Sequence, residues 1–180
     1  MEIFSAHYHI EEKEIRPDGV DFLLRTQTTQ HVYAFFIVPN EKEPYTLGLS
    51  AKIPDSLPVI RIIATPHPHQ VCINVCGSVY LGNVNRPDSF VYCPQSNGHA
   101  HHWYAYPEEG ILVFSTRNSL FAIDQDGVRW ETGKMPGCCV ELQGHKSGIL
   151  YGIYDLHGRD EYFSVDIDSG RVNTAPVPFE

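Results

Sequence analysis

Histidine is the residue type that stands out when the sequence is searched for chemistry. Ten of the 180 residues are histidine, and several form His-x-His pairs: His67 with His69 in TPHPHQV, and His99 with His101 in NGHAHHWYAY. Residues i and i+2 of a strand point to the same face, so each pair can present two imidazoles side by side. Two pairs facing each other would form a site for Zn²⁺ or another transition metal.

The same histidines have a simpler interpretation as polar residues at the ends of strands. Pro66 and Pro68 flank His67, which favours an extended loop over the centre of a strand. A third pair, His7 and His9 in SAHYHI, is open to the same two interpretations. We therefore predict no cofactor and keep, as the alternative, one Zn²⁺ or other transition metal held by the first two pairs.

Other kinds of catalysis lack their usual patterns. The chain has no Gly-x-Ser-x-Gly elbow, no glycine-rich phosphate loop and no Walker-type lysine. The pairs Asp124/Asp126 and Asp166/Asp168 could suggest a Ca²⁺ or glycosidase site, but they recur at the same position of two similar stretches. Such repetition indicates turn geometry, because a catalytic pair is seldom duplicated. The sequence therefore predicts no catalytic residue and favours a protein that is not an enzyme.

The segment HHWYAYPEEG, residues 101–110, is the strongest candidate for contact with a partner. It combines tryptophan and tyrosine, the residue types enriched at interface hot spots, with two adjacent glutamates. An alternative is that Trp103 and Tyr104 cover the core beneath a long loop. The predicted partner-binding residues are His102, Trp103, Tyr104, Tyr106, Glu108 and Glu109.

The elements that would position these residues read as short β-strands. Runs such as HVYAFFIV, QVCINVC, SVYLGNV, ILVFST and ILYGIYD are rich in Val, Ile, Tyr and Phe, and Gly, Pro, Asn and Asp separate them. No stretch of 11 to 18 residues follows the 3.6-residue helical period. We predict one all-β domain spanning residues 1–180.

An internal repeat organises the strands. SLFAIDQDGVRWETG at 119–133 is echoed by EYFSVDIDSGRVNT at 161–174, with Phe121, Asp124 and Asp126 each matched 42 positions later. One period earlier, Tyr80 and Asn83 occupy the places of Phe121 and Asp124. A period of 41 to 42 residues is the size of a four-stranded propeller blade. The repeat predicts a propeller-like array of about four antiparallel units, with a two-sheet β-sandwich as the alternative.

The repeat also resembles a known signature. LFAIDQDGVRW is similar to the blade motif of pyrroloquinoline-quinone-type, WD-like propeller repeats, with an aromatic residue, Ala, Asp, Gly and then Trp130. YFSVDIDSGRV matches it, except that Val172 or Asn173 stands where the Trp would be. The resemblance covers part of residues 70–180 and implies that Asp and Gly shape a hairpin turn while Trp130 packs between neighbouring blades. It does not imply the quinone. The two C-terminal units also resemble small uncharacterised bacterial proteins, a likeness that adds no chemistry.

The net charge and the composition of particular segments limit the classes of partner that we expect. The net charge of −9 disfavours nucleic acid and favours a protein with a basic face. The N-terminal stretch lacks the pattern of a signal peptide, and no apolar run reaches membrane-spanning length, so we predict a cytoplasmic protein without a membrane partner. Five cysteines, two of them adjacent, make a poor disulfide framework.

These observations predict a non-catalytic protein-binding module. A specific version is an immunity or inhibitor protein that blocks the basic cleft of a toxin or nuclease, guided by electrostatic complementarity. The alternative is a metal-dependent enzyme or metal sensor that uses the His-x-His pairs. The sequence carries no indication of the oligomeric state.

Overall fold

Short β-strands make up almost all of the regular structure. The computed structural model describes residues 4–13, 19–24, 31–51, 59–97 and 99–174. Within those ranges the chain forms sixteen strands, and Pro94–Ser96 and Pro107–Glu109 form short 3₁₀ turns. In the same ranges no helix is both long enough and apolar enough to cross a membrane. The prediction of an all-β chain is confirmed.

The strands belong to two compact units, Met1–His99 and Ala100–Glu180. The first contains β1 Tyr8–Lys13, β2 Phe22–Leu24, β3 His31–Pro39, β4 Tyr45–Ala51, β5 Ile60–Ala64, β6 Gln70–Val75, β7 Ser78–Asn83 and β8 Arg86–Tyr92. The second contains β9 His102–Tyr106, β10 Ile111–Ser115, β11 Leu120–Asp124, β12 Gly127–Glu131, β13 Cys138–Lys146, β14 Ile149–Asp155, β15 Asp160–Asp166 and β16 Val172–Asn173. That the whole chain is one domain stays a prediction.

The described strands form four four-stranded sheets, which confirms the prediction of four blade-sized units. Sheet I has the strand order β1-β3-β4-β2, and sheets II, III and IV are consecutive meanders of β5–β8, β9–β12 and β13–β16. The β-sandwich alternative would need two sheets. All described pairings are antiparallel except that of β2 with β4, which is parallel. Sheet I therefore departs from the simple meander that the repeat predicts.

The first unit buries an apolar core between sheets I and II. Alternate residues of the strands supply it, because successive side chains of a strand point to opposite faces. Tyr80 of β7 is fully buried in this core, and its hydroxyl donates a hydrogen bond to the carbonyl oxygen of Ser50 in β4. The core comprises Tyr33, Phe35, Ile37, Tyr45, Leu47, Leu49, Ala51, Val71, Ile73, Val75, Tyr80, Val84 and Phe90.

The second unit has an equivalent core between sheets III and IV. Phe163 of β15 lies in it, at the repeat position that Tyr80 occupies in the first unit. The core comprises Ile111, Val113, Leu120, Ala122, Trp130, Met135, Val140, Leu142, Leu150, Tyr154, Phe163, Val165 and Ile167. Tyr104 and Tyr106 of β9 are partly buried against it.

Three strands each end in a turn that a side-chain hydrogen bond holds. The side-chain oxygen of Asn83 accepts the backbone N–H of Asn85 at 2.9 Å, and Asp124 accepts that of Asp126 at 2.8 Å. Asp166 accepts the N–H of Ser169, also at 2.8 Å. The first two are Asx turns, which bond the N–H two residues on, whereas the Asp166 bond reaches three residues on. In all three a short polar side chain replaces a backbone acceptor where the chain reverses. The prediction that the repeated Asx residues serve turn geometry is borne out by these bonds.

The second pair of acidic residues, Asp166 and Asp168, makes further local contacts. Asp168 forms an ion pair with Arg129 of β12 at 2.7 Å, which joins the turn of sheet IV to the edge of sheet III. The hydroxyl and N–H of Ser169 both bond to Asp166 and hold the pKa of that carboxyl below its usual value. Both carboxylates therefore serve the turn and its contact with β12.

Trp130 joins the two sheets of the second unit. Its side chain is 7% exposed, and its indole N–H donates a hydrogen bond to the carbonyl oxygen of Ile167 at 2.7 Å. Gly170 lies directly against the indole ring, and a Cβ at that position would come within 2.8 Å of it. The prediction that Trp130 is buried between neighbouring hairpins is confirmed. Whether the chain is related to pyrroloquinoline-quinone-type repeats stays a prediction.

Candidate functional site

The candidate binding segment forms an edge strand followed by a 3₁₀ turn. Residues 102–106 are β9, which among the described strands pairs with β10 alone and so lies at an edge of sheet III. The pairing places Trp103 opposite Phe114 and His102 opposite Ser115. Pro107 starts the turn, and Gly110 ends it with a positive φ of 63°. The segment is therefore a strand and not part of a long loop, although Tyr104 does pack against the core as the alternative expected. Its aromatic residues suit a strand, because they pack well on a pleated, half-buried surface.

The six predicted partner-binding residues separate into exposed and half-buried side chains. His102, Glu108 and Glu109 are exposed, whereas Trp103, Tyr104 and Tyr106 are half-buried. We define the β9 patch as His102, Trp103, Glu108 and Glu109. It consists of the first two residues of β9 and the two carboxylates of the turn that follows this strand.

Tyr104 has a structural partner inside the unit. Its hydroxyl accepts a hydrogen bond from the backbone N–H of Leu142 at 3.2 Å, which connects β9 of sheet III to β13 of sheet IV. Burial raises the pKa of Tyr104, although the bond from Leu142 acts in the opposite direction. This contact gives Tyr104 a role in holding the sheets together, whatever it does toward a partner.

Tyr106 belongs to a small cluster that the sequence did not indicate. Its ring meets the His145 ring edge-on, with 5.3 Å between the ring centroids. The Nε2 of His145 lies 3.3 Å from a carboxylate oxygen of Glu109, within ion-pair distance but without the orientation of a hydrogen bond. Burial raises the pKa of Tyr106 to about 12. His145 lies on β13, far along the chain, so no local spacing could have connected it with β9.

A second histidine group forms in the first unit. His67 and His69 lie in the loop between β5 and β6, as Pro66 and Pro68 predicted, and their ring centroids are 5.8 Å apart. His7 adds a third ring, 5.1 Å from that of His69. The backbone N–H of His69 bonds to Nδ1 of His67 at 3.1 Å. Nδ1 of His69 is shielded from solvent and has no hydrogen-bond partner among the residues that the structure describes.

The other predicted pair is held mainly through its backbone. His99 and His101 are both exposed. The N–H of His99 bonds to Ser96, and that of His101 bonds to Ser115. Across the described part of the chain, no group of three or more His, Cys, Asp or Glu side chains has the arrangement needed to hold a metal ion.

Comparison with known proteins finds no relative. No family model matches the chain, and no curated protein or solved structure is significantly similar to it.

The five cysteines occupy very different surroundings. Cys72 and Cys93 are buried, and burial raises the pKa of the Cys93 thiol to about 12. Cys76 is partly buried and contacts the Tyr33 hydroxyl at 3.7 Å. The adjacent Cys138 and Cys139 lie toward the surface at the start of β13. Of the five, Cys72 and Cys93 are the small buried thiols that reducing surroundings commonly leave in a core.

Proposed function

We propose that this protein is a non-catalytic protein-binding module that contacts its partner through the β9 patch. Support comes from the position of the patch on an edge strand, where Trp103 is half-buried and His102, Glu108 and Glu109 are exposed. A partly held tryptophan loses little side-chain freedom on binding, and tryptophan is enriched at interface hot spots. The half-exposed Trp103 on an edge strand that leads into an acidic turn is the observation that carries the proposal.

The partner would present a basic surface. The chain has a net charge of −9, and Glu108 and Glu109 place two negative charges in the turn that follows β9, the strand that carries Trp103. Charge complementarity of this kind accelerates and orients association more than it strengthens the final complex. A cytoplasmic immunity or inhibitor protein that occupies the basic cleft of a toxin or nuclease fits this description.

Affinity purification with matched variants tests the proposal. The immobilised wild-type chain would be compared with Trp103→Ala and with Tyr162→Ala, which alters an exposed aromatic residue of sheet IV. A basic protein captured by wild type and by Tyr162→Ala should be lost with Trp103→Ala, and direct titration should show binding weakened by about 2 kcal/mol or more. Equal capture by all three chains would place the interface elsewhere.

The carboxylates can be tested in the same titrations. Replacing both Glu108 and Glu109 with Gln should slow association, and the effect should diminish as salt is raised. The matched control converts the exposed neighbours Asp160 and Glu161 of β15 to Asn and Gln. If both double variants slow association equally, the net charge acts and the β9 patch has no special part.

The second candidate function is a metal-dependent enzyme or metal sensor. The contact of the His7, His67 and His69 rings, together with the unpartnered Nδ1 of His69, is the observation that favours it. Since the rings are not arranged to hold a metal as they stand, binding would require at least one to turn. Elemental analysis of untagged protein tests this candidate. One metal per chain that is lost in His69→Ala would favour it over the binding module.

A further inference from the structure

Two neighbouring thiols meet at the start of sheet IV. The Sγ atoms of Cys138 and Cys139 are 3.6 Å apart, and the thiol of Cys139 donates a hydrogen bond to the sulfur of Cys138. Cys139 is exposed and Cys138 is partly buried. The pair thus forms a dithiol that a small molecule can reach from solvent.

The backbone explains why two consecutive side chains touch. Successive side chains of an extended strand point to opposite faces, which would separate the two sulfurs. Cys139 instead has a positive φ of 58°, in the left-handed region that residues with a side chain seldom adopt. This departure from the extended form turns the two thiols toward each other. A strained position of this kind points to a chemical role when it also brings reactive groups together.

The strand can absorb a change at this position. Cys138 pairs with Asp155 and Glu141 pairs with Ile153, so two residues of β13 face a single residue of β14 between these pairs. Such a bulge leaves its extra residue outside the regular ladder. Closing a bond between the sulfurs would therefore act on backbone that is already irregular.

We propose that Cys138 and Cys139 are a reversible oxidation site that forms a vicinal disulfide. The thiolate of Cys138 attacks hydrogen peroxide, giving a sulfenic acid and releasing hydroxide, which takes up a proton to become water. The sulfur of Cys139 then attacks the sulfenic sulfur and expels a second water. In sum, the two thiols lose two electrons and two protons, and one peroxide becomes two waters.

The bond formed would be a labile one. Adjacent Cα atoms are about 3.8 Å apart, closer than the separation of about 4.4–6.8 Å that disulfides normally span. Strain of this kind makes a disulfide easier to reduce, and exposure of Cys139 admits a reducing thiol such as glutathione. The chemistry suits a reversible redox modification and does not suit a structural crosslink.

The remaining cysteines are poorer candidates for the same reaction. Cys72 and Cys93 are buried, and burial raises the pKa of each thiol, so little thiolate forms. Cys76 has a positive φ of 51° as well, but the group that its sulfur contacts is the Tyr33 hydroxyl, at 3.7 Å. Cys76 therefore serves as the matched control.

Mass spectrometry of the full chain tests the proposal. Protein treated with equimolar hydrogen peroxide, then denatured and alkylated, should carry three alkyl groups on its five cysteines and lose the mass of two hydrogens. Fragmentation should locate the missing groups on Cys138 and Cys139, and reduced glutathione should restore all five. The Cys76→Ser variant should lose the same two hydrogens, and Cys138→Ser or Cys139→Ser should not.

Other products would overturn the proposal. These are sulfinic acids at Cys138 or Cys139, a disulfide between two chains, or a bond involving Cys72, Cys76 or Cys93. A bond that glutathione fails to open would also contradict it. Fragmentation of the wild-type chain alone decides among these products, so the test stands even if a serine variant fails to fold.

Discussion

An indole ring at position 130 combines two contacts that few other side chains could make together. It fills an apolar space in the core of the second unit, and its N–H satisfies the carbonyl of Ile167. Phenylalanine would fill much of the space without the donor, and a polar donor would lose the packing. The tryptophan of the repeat is thus explained by its contacts within the unit.

Truncating this residue should destabilise the protein strongly. Trp130→Ala is expected to lower the free energy of unfolding by about 3–5 kcal/mol, because it leaves a large cavity and an unsatisfied carbonyl. Urea denaturation followed by circular dichroism measures the change. Val128→Ala, on the exposed part of the same strand, is the control and should stay within about 0.5 kcal/mol of wild type. Equal effects of the two substitutions would contradict the packing role of Trp130.

Two turn glycines allow the energetic cost of backbone strain to be distinguished from the cost of steric overlap. Gly170 has a φ of +69° and lies against Trp130, whereas Gly127 has a φ of +124° and open space around it. Gly127→Ala should therefore cost only the conformational penalty, about 1–2 kcal/mol, and Gly170→Ala should cost more because the indole must move. Urea denaturation of both variants gives the comparison. A smaller loss at Gly170 would show that the ring yields freely.

At the scale of the element, turns and hairpins were predictable because their causes are local. Asp124 and Asp166 shape their turns through side-chain bonds that span two or three residues, so the repeat exposed them in the sequence. The strand β9 was interpreted as a binding segment because tryptophan and tyrosine favour both strands and interfaces. Composition alone does not separate these two uses.

Contacts between distant segments were not predictable from the sequence. The parallel pairing of β2 with β4 follows a chain path that no periodicity records. The meeting of Tyr106, Glu109 and His145 depends on how β13 lies beside β9. His67 and His69 do lie close together, but the histidine that joins them, His7, could not be foreseen. It precedes β1 of sheet I, and a hydrogen bond from its backbone N–H to the carbonyl oxygen of Pro68 holds it near the pair.

The bond between β9 and β13 gives a prediction for the element. Tyr104→Phe should lower the free energy of unfolding by about 1–3 kcal/mol, because it leaves the N–H of Leu142 without its acceptor while keeping the ring. Urea denaturation measures the loss. Trp103→Ala is the comparison: its side chain is half-buried on the same strand, and we expect partner binding to suffer more than stability. Unchanged stability of Tyr104→Phe would mean that water replaces the hydroxyl.

For the whole molecule, the tyrosine and cysteine side chains whose pKa values burial raises predict a loss of stability at alkaline pH. Burial raises the pKa of Tyr80 and Tyr106 to about 12, above the usual value of 10.0, and that of Cys93 to about 12, above 9.0. The unfolded chain therefore releases these protons first as the pH rises. The stability they contribute is complete below the unfolded pKa values and declines as the pH approaches the folded ones.

Urea denaturation at several values between about pH 8 and pH 11 tests this expectation, since the groups titrate in that range in the unfolded chain. The free energy of unfolding should fall as the pH increases, and Tyr106→Phe should make the fall less steep. A free energy that stays constant across the range would contradict the burial of these side chains.

The position of the two tryptophans lets fluorescence monitor one unit separately from the other. Both tryptophans, Trp103 and Trp130, lie in the second unit, so intrinsic tryptophan emission reports on residues 100–180 while far-ultraviolet dichroism reports on every strand. With Trp103→Phe, and with excitation at wavelengths that tyrosine does not absorb, the emission comes from the buried Trp130. Coincident fluorescence and dichroism transitions would mean that both units unfold as one domain. Separate transitions would give each unit a stability of its own, read from a single sample without any label.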